Sequence, residues 1–283
     1  MTKQDLITAA QNTWCPGCGN FTIQFALRNA IRDLVADGVP LENIVLVTGI
    51  GCHAKMADYL AINSFYSIHG RTIPVATGIK LANPDLTVIC CAGDGDAYAE
   101  GLDHLIFAAK RNSDITVIVH NNRVYGLTTG QYTPTSPLGY RGRSTPEGTP
   151  EEPFNPLSLM LASGAGFVAR STTRKMPHLA GTLARALRHK GFAFIDVLQI
   201  CATYFNKSEL YDQQGYELSG HDPADFIAAC RKAGEWDYNN DGPIAFGVFY
   251  EKERISFEER FRKIAGPAGD RTGQIRALLD QKR

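Results

Sequence analysis

A chain of 283 residues, 44% of them apolar, is long enough to bury one substantial core, and one compact domain is the default reading. Lysine plus arginine and aspartate plus glutamate stand at 29 each, so no charge excess draws the chain to nucleic acid or to an anionic membrane. The opening MTKQDLITAAQNTW has no apolar targeting segment and no later run approaches the roughly 20 residues of a membrane helix, so a cytoplasmic protein is expected.

Apolar runs alternate with helical patterns through the first two hundred or so residues, which predicts an α/β fold with a mostly parallel sheet flanked by helices. Ahead of the first strand stands a CxxC, Cys15 and Cys18. Asn43 to Thr48 reads as a buried strand that ends at Gly49-Ile50-Gly51, passes Cys52 and gives way to a helix-capable stretch with Lys55, Met56 and Leu60. Leu86 to Ala92 is a second strand, ending at Gly93-Asp94-Gly95-Asp96. A helical stretch with Leu102, Leu105, Ile106 and Ala109 on one face follows, then a strand from Ile115 to His120 that ends at Asn121-Asn122. Ligands of open parallel sheets bind outside the carboxyl ends of the strands, so both loops face one crevice. The stretch from Thr129 to Pro156, rich in proline, glycine, serine and threonine, is long for a structureless connection and reads as a functional or mobile loop. Ala193 to Ile200 is a further strand delivering Cys201 to the same edge. Beyond Tyr204 the chain turns polar and irregular, with a charged helix near Gln274 to Gln281. The expected division is a site-bearing domain over 1–205 and an extension over 206–283, packed on the same domain or on a partner subunit.

Gly93-Asp94-Gly95 closes a strand and opens a helix, where glycine lets the backbone approach an anion and free amides point at it. A phosphate group fits there. Asp94 offers a hard oxygen ligand, Asn122 a second from the neighbouring loop, and the main-chain carbonyl of Val124 a third, the beginning of an octahedral Mg2+ site shared with phosphate. A dinucleotide fingerprint would need another glycine near Tyr98, and a P-loop would need Gly-Lys-Ser/Thr; both are absent. A tight turn with a capping aspartate is the competing structural reading.

Seven cysteines in a reducing compartment read as thiols or metal ligands rather than as a disulfide framework. Cys15 and Cys18 can share one metal or cluster but need further thiolates, which Cys52 and Cys201 are placed to bring. Four thiolates suit a [4Fe-4S] cluster. Zinc sites usually present their ligands as two short-spaced pairs, and a thioredoxin pair should follow a core strand, so both alternatives fit less well. Cys90, Cys91 and Cys230 sit in apolar strand or helix patterns, where cysteine behaves as a small hydrophobe.

The segment GDGDAYAEGLDHLIFAAKRNSDITVIVHNN resembles the thiamine-diphosphate motif, a GDG followed by paired asparagines. WCPGCG, GIGC, SIHGR, ATGIKLANPDL, NNxxYGLTxGQ and SPL, together covering most of the chain, are similar to the β subunits of 2-oxoacid:ferredoxin oxidoreductases. That resemblance implies a thiamine-diphosphate-binding fold with Mg2+ on Asp94, Asn122 and the Val124 carbonyl. It places Gly95, Asp96, Gly126 and Leu127 along the cofactor, with Ile50, Gly51, Cys52, His53, Ser67, Ile68, His69 and Gly70. It assigns Cys15, Cys18, Cys52 and Cys201 to the cluster. The implied reaction is CoA-dependent oxidative decarboxylation of a 2-oxo acid to its acyl-CoA, with electrons passing through the cluster to ferredoxin.

Lys55 is the candidate cation for the substrate carboxylate, and His69 a candidate catalytic group. For Lys55 the competing reading is a solvated helix face, and for His53 and His69 a satisfied structural histidine. The resemblance further implies an α subunit that supplies the glutamate activating the thiamine and shares in CoA handling, so the isolated chain is expected to be inactive. Many relatives carry proline where this chain has Ala202, and lysine or glycine where it has Thr129, near the expected substrate pocket. Two rivals differ in kind: a thiamine decarboxylase without redox chemistry has no use for four placed cysteines, and an iron-sulfur electron carrier without thiamine leaves Asp94 and Asn122 unexplained.

Overall fold

Valine- and isoleucine-rich runs recur along the chain and form the strands of one sheet in the computed structural model, which describes residues 6–265 and 272–282. In chain order these are β1 (Ile44–Thr48), β2 (Asn63–Tyr66), β3 (Thr87–Gly93) and β4 (Thr116–Asn121), then a small hairpin of β5 (Val124–Tyr125) and β6 (Gln131–Tyr132), then β7 (Phe167–Thr172), β8 (Ala193–Leu198), β9 (Gly215–Glu217) and β10 (Ile244–Glu251). The main sheet has the order β2-β1-β3-β4-β8-β7-β10-β9. Every neighbouring pair is parallel except β10 against β7.

A sheet covered on both faces must be apolar on both, and alternation sorts each strand's residues between two cores. Leu46, Ile89, Cys91, Ile118 and Ile195 pack beneath the helices Asn20–Ala36 and Met176–Arg188. Val47, Val88, Cys90, Val117 and Phe194 pack beneath Thr72–Ala82, Leu102–Arg111, Pro156–Ala162 and Phe226–Ala233. Adjacent Cys90 and Cys91, both fully buried, thus serve opposite cores, and Cys230 packs at the margin of the second. The helix Asn20–Ala36 buries Ile23, Leu27, Ala30, Ile31 and Leu34, the spacing of one helical face. Each of the leucines and isoleucines contributes roughly 1.5–3 kcal/mol on burial.

Two stretches differ from the sequence expectation. The chain beyond Tyr204 is less irregular than its polarity suggests, because β10 lines up antiparallel with β7 and brings β9 with it. Trp236 and Tyr238 bury against Leu198, Ile200 and Tyr211 in a third core. The proline-rich loop is ordered: its β5–β6 hairpin, the paired backbone bonds between 139–140 and Thr149, and buried Thr133, Thr135 and Ser136 press it onto the carboxyl edge of the sheet. Among the described residues no helix is long and apolar enough to cross a membrane.

Candidate active site

Because β1, β3, β4 and β8 run parallel as neighbours, their carboxyl ends deliver 49–53, 94–96, Asn122 and 199–201 to one edge. A cavity of about 530 Å³ opens there, lined by Ile50, Gly51, Cys52, His53, His69, Asp94, Gly95, Asp96, Asn122, Val124, Gly126 and Leu127. Ser67, Ile68 and Gly70 do not line it. Ser67 donates its hydroxyl to the Thr48 carbonyl at 2.8 Å, Ile68 is 70% exposed, and Gly70 gives its N–H to Asp96 at 2.6 Å. These three shape the loop behind the cavity wall.

Asp94 is buried, and its carboxylate accepts the Thr135 hydroxyl at 3.2 Å. Burial pushes the group up to about 7. Asn122 Oδ1 accepts the N–H of Val124 at 3.0 Å, which folds 122–124 into a tight turn facing Asp94 across the cavity. Asp96 works differently, holding Gly70 N–H, the Thr72 hydroxyl at 3.3 Å and the His53 ring at 3.4 Å. It fastens the 67–72 loop to the cavity floor.

Residues invisible to sequence reasoning complete the site. His120, the last-but-one residue of an otherwise apolar strand, hydrogen-bonds Asn20 through Nδ1 at 2.8 Å and lines the cavity. Burial holds it well below the ordinary imidazole range, so the ring is neutral, and Nε2 has no partner. Beneath the loop, Asp196 accepts from Tyr98 at 2.8 Å, Tyr238 at 2.5 Å and Asn121 at 2.9 Å, while the Thr135 hydroxyl shares its one proton between Asn121 Oδ1 at 2.9 Å and Asp94 at 3.2 Å. The first asparagine of the pair therefore braces Thr135, and Thr135 braces Asp94.

A second cavity, about 700 Å³, is lined by Cys15, Cys18, Cys52 and Cys201 with Trp14 and Lys55. The CxxC turn closes with Cys18 N–H to Cys15 O at 3.0 Å, and Gly19 N–H pins it to Ile200 O at 3.1 Å. Trp14 donates its indole N–H to Cys52 O at 2.7 Å and stands edge-on to Tyr59 and Phe21. A Cβ on Gly126 would lie 3.6 Å from Cys52 Sγ and 3.7 Å from Cys201 Sγ, so both thiols reach one point. Burial first, then the neighbouring thiols, pushes Cys52 up to about 11, against the opposing charge of Lys55. Lys55 gives its ammonium to Thr13 Oγ1 at 2.9 Å and lines this cavity, not the first.

Among the described residues, only His69, Asp96 and Glu100 bring three ligand atoms of histidine, cysteine or acid within 4.8 Å of one another. No three of the cysteine sulfurs therefore close to the ~3.8 Å between sulfurs on one tetrahedral zinc. They surround a volume. The two cavities share Cys52, Asn122, Gly126, Leu127 and Gln199 as a common wall.

Two family models match the chain: the thiamine pyrophosphate enzyme, C-terminal TPP binding domain, over residues 49–197, and the C-terminal region of the pyruvate ferredoxin oxidoreductase beta subunit, over residues 201–266. The chain is 42% identical over 266 residues to the 2-oxoacid:ferredoxin oxidoreductase subunit beta of Saccharolobus solfataricus, covering 88% of this chain and 85% of that one. It is 43% identical over 194 residues to the 2-oxoglutarate synthase subunit KorB of Methanothermobacter thermautotrophicus, covering 69% and 67%. A solved 2-oxoglutarate:ferredoxin oxidoreductase from Magnetococcus marinus, with 2-oxoglutarate, coenzyme A and succinyl-CoA bound, superposes with a TM-score of 0.89 at 32% identity, over 98% of this chain and 96% of that one.

Proposed function

The chain belongs to the β subunits of the 2-oxoacid:ferredoxin oxidoreductases, and from that premise we propose how its two cavities divide the work. Thiamine diphosphate occupies the cavity at the ends of β1, β3 and β4, its diphosphate and Mg2+ held by Asp94, Asn122 and the carbonyl of Val124. The donor set fits: a buried carboxylate, a side-chain amide and a main-chain carbonyl line one cavity, and hard oxygen ligands suit magnesium. Cys15, Cys18, Cys52 and Cys201 hold a [4Fe-4S] cluster, supported by sulfurs spread around a cavity rather than closed on a point. When bound, the thiamine supplies the electron sink for loss of carbon dioxide from a 2-oxo acid, and the cluster takes up the electrons singly.

The protein's part is placement. Asp96 and His53 shape the floor, neutral His120 presents an unprotonated Nε2, and His69, paired with Glu100 at 3.2 Å, stands at the mouth as the proton-exchanging group. Lys55, next to the shared wall, supplies the cation for the substrate carboxylate. Residues 1–205 carry these groups, and 206–283 back them as an extension. An α subunit supplies the remaining thiamine contacts and the CoA site, ferredoxin takes the electrons, and the complex works in the cytoplasm. The observation that carries the reading is the shared wall: Cys52 and Asn122, one from each proposed ligand set, line both cavities.

The deciding experiment is anaerobic purification with the co-expressed α subunit, iron, sulfide and thiamine analysis, and electron-resonance spectra before and after adding pyruvate, 2-oxoglutarate or a branched-chain 2-oxo acid. About four irons and one thiamine per chain, with a reduced-cluster signal elicited by one of those acids, is the expected result. Zinc in place of iron, or a complex without thiamine, defeats the proposal.

A further inference from the structure

Gln199 is a buried amide, 2% exposed, on the wall between the two cavities. Its side-chain nitrogen lies 3.7 Å from Cys18 Sγ, within the reach of an N–H···S bond. The amide is held from two directions. Its backbone N–H donates to Asn121 O at 2.9 Å, continuing the β4–β8 ladder past the last paired residue. Behind it stands Gly19, where an added Cβ would come within 2.6 Å of Gln199 Cγ. The side chain is therefore pressed toward the sulfur by a position that tolerates no side chain of its own. Only the NH2 end of an amide can donate to a thiolate, which fixes its orientation once Cys18 ligates iron.

We propose that Gln199 sets the reduction potential of the cluster by donating this hydrogen bond to the Cys18 sulfur. The inference rests on the reading of the four cysteines as cluster ligands. When one electron enters the cluster, negative charge accumulates on iron and on the ligating sulfurs. A fixed donor aimed at one sulfur favours that more negative state, and hydrogen bonds to the sulfurs are a principal lever on such potentials. The donor works in a buried setting, where its dipole is little screened. Because Gln199 also lines the first cavity, the residue that tunes the acceptor stands on the side from which the electrons come. It is a positioning residue: it acts through Cys18 and touches no reacting atom.

The test uses the complete αβ complex, purified anaerobically, with Gln199→Leu and the isosteric Gln199→Glu. The readout is the cluster's midpoint in a redox titration followed by electron resonance, alongside iron and sulfide content and thiamine binding. With iron, sulfide and thiamine content unchanged, Gln199→Leu should move the midpoint to more negative potential. Gln199→Glu, which turns a carboxylate toward the sulfur, should move it further in the same direction. A merely structural role would lower iron content and melting temperature and leave the midpoint of the surviving clusters alone; an unchanged midpoint in either iron-replete variant overturns the proposal. Absence of iron and sulfide from the wild-type complex would instead sink the cluster reading, and this inference with it.

Discussion

Tyr125 occupies the space that a side chain on Gly95 would need: a Cβ at position 95 would come within 2.3 Å of its ring. The ring belongs to the short β5 strand, directly after the Asn122–Val124 turn, so this contact sets the distance between the two loops that face the diphosphate. Gly95→Ala should push the loops apart. Overpacking of this kind costs typically 1–3 kcal/mol, which predicts a roughly 5- to 150-fold weaker affinity for thiamine diphosphate with Mg2+. Calorimetric titration of the αβ complex measures it, and an unchanged affinity would mean that Tyr125 moves aside freely.

Asp94 yields a prediction with two opposite signs. The uncompensated buried carboxylate is costly to the cofactor-free protein, so Asp94→Asn, which retains an acceptor for the Thr135 hydroxyl, should leave the unliganded melting temperature equal or higher. The same change removes the proposed charged magnesium ligand. Wild type should gain several degrees of thermal stability on adding thiamine diphosphate with Mg2+, by mass action, and the variant should gain none. A variant that gains the full shift would place the magnesium elsewhere.

Cys52 and Cys90, one past the end of β1 and the other within the neighbouring β3, should part company under substitution. Cys52→Ala removes a thiol that lines one cavity with three others and should cost on the order of half or more of the bound iron, read by iron and sulfide analysis. Cys90→Ala removes a fully buried sulfur packed among Val47, Val88 and Val117 and should lower stability by about 1 kcal/mol with iron content intact. Iron lost equally from both would remove the distinction between ligand and filler.

That distinction was legible in the sequence because it depends on local pattern: Cys90 lies within an apolar run, whereas Cys52 and Cys201 follow strand ends. The carboxyl-edge loops were legible for the same reason, since strand, glycine and helix follow one another within a few residues. What pattern cannot carry is pairing across the chain. Thr135 reads as loop, yet it bridges Asp94 and Asn121. His120 reads as a strand end, yet Asn20 on a distant helix fixes its tautomer. Ser67 and Gly70 carry motif residues, yet they bind Thr48 and Asp96 rather than line the cavity. β10 alternates too loosely to announce itself, and its place is decided by the exposed edge of β7.

His189 gives the pH dependence. It is 6% exposed, neither ring nitrogen has a hydrogen-bond partner, and Glu251 stands 3.9 Å away. Burial lowers its pKa below the ordinary 6.5, outweighing the acidic Glu251, Glu253 and Asp114 nearby. His178, half-buried and bonded to the Ser171 hydroxyl at 2.9 Å, is lowered for the same first reason. Above 6.5 the ring is neutral in both folded and unfolded chains, and pH has no leverage through it. Below 6.5 the unfolded chain takes up the proton first, so stability falls as pH falls, until the folded ring also protonates. The slope is at most about 1.4 kcal/mol per pH unit for each histidine. Melting temperatures measured from about pH 8 to about pH 5 should therefore fall further for wild type than for His189→Gln, because the variant lacks one of the sites that draw protons to the unfolded chain. Carboxylates titrating in the same window act on both proteins alike and cancel in the difference. Parallel curves through that range would mean that His189 accepts its proton within the fold at no cost, with Glu251 offsetting the burial.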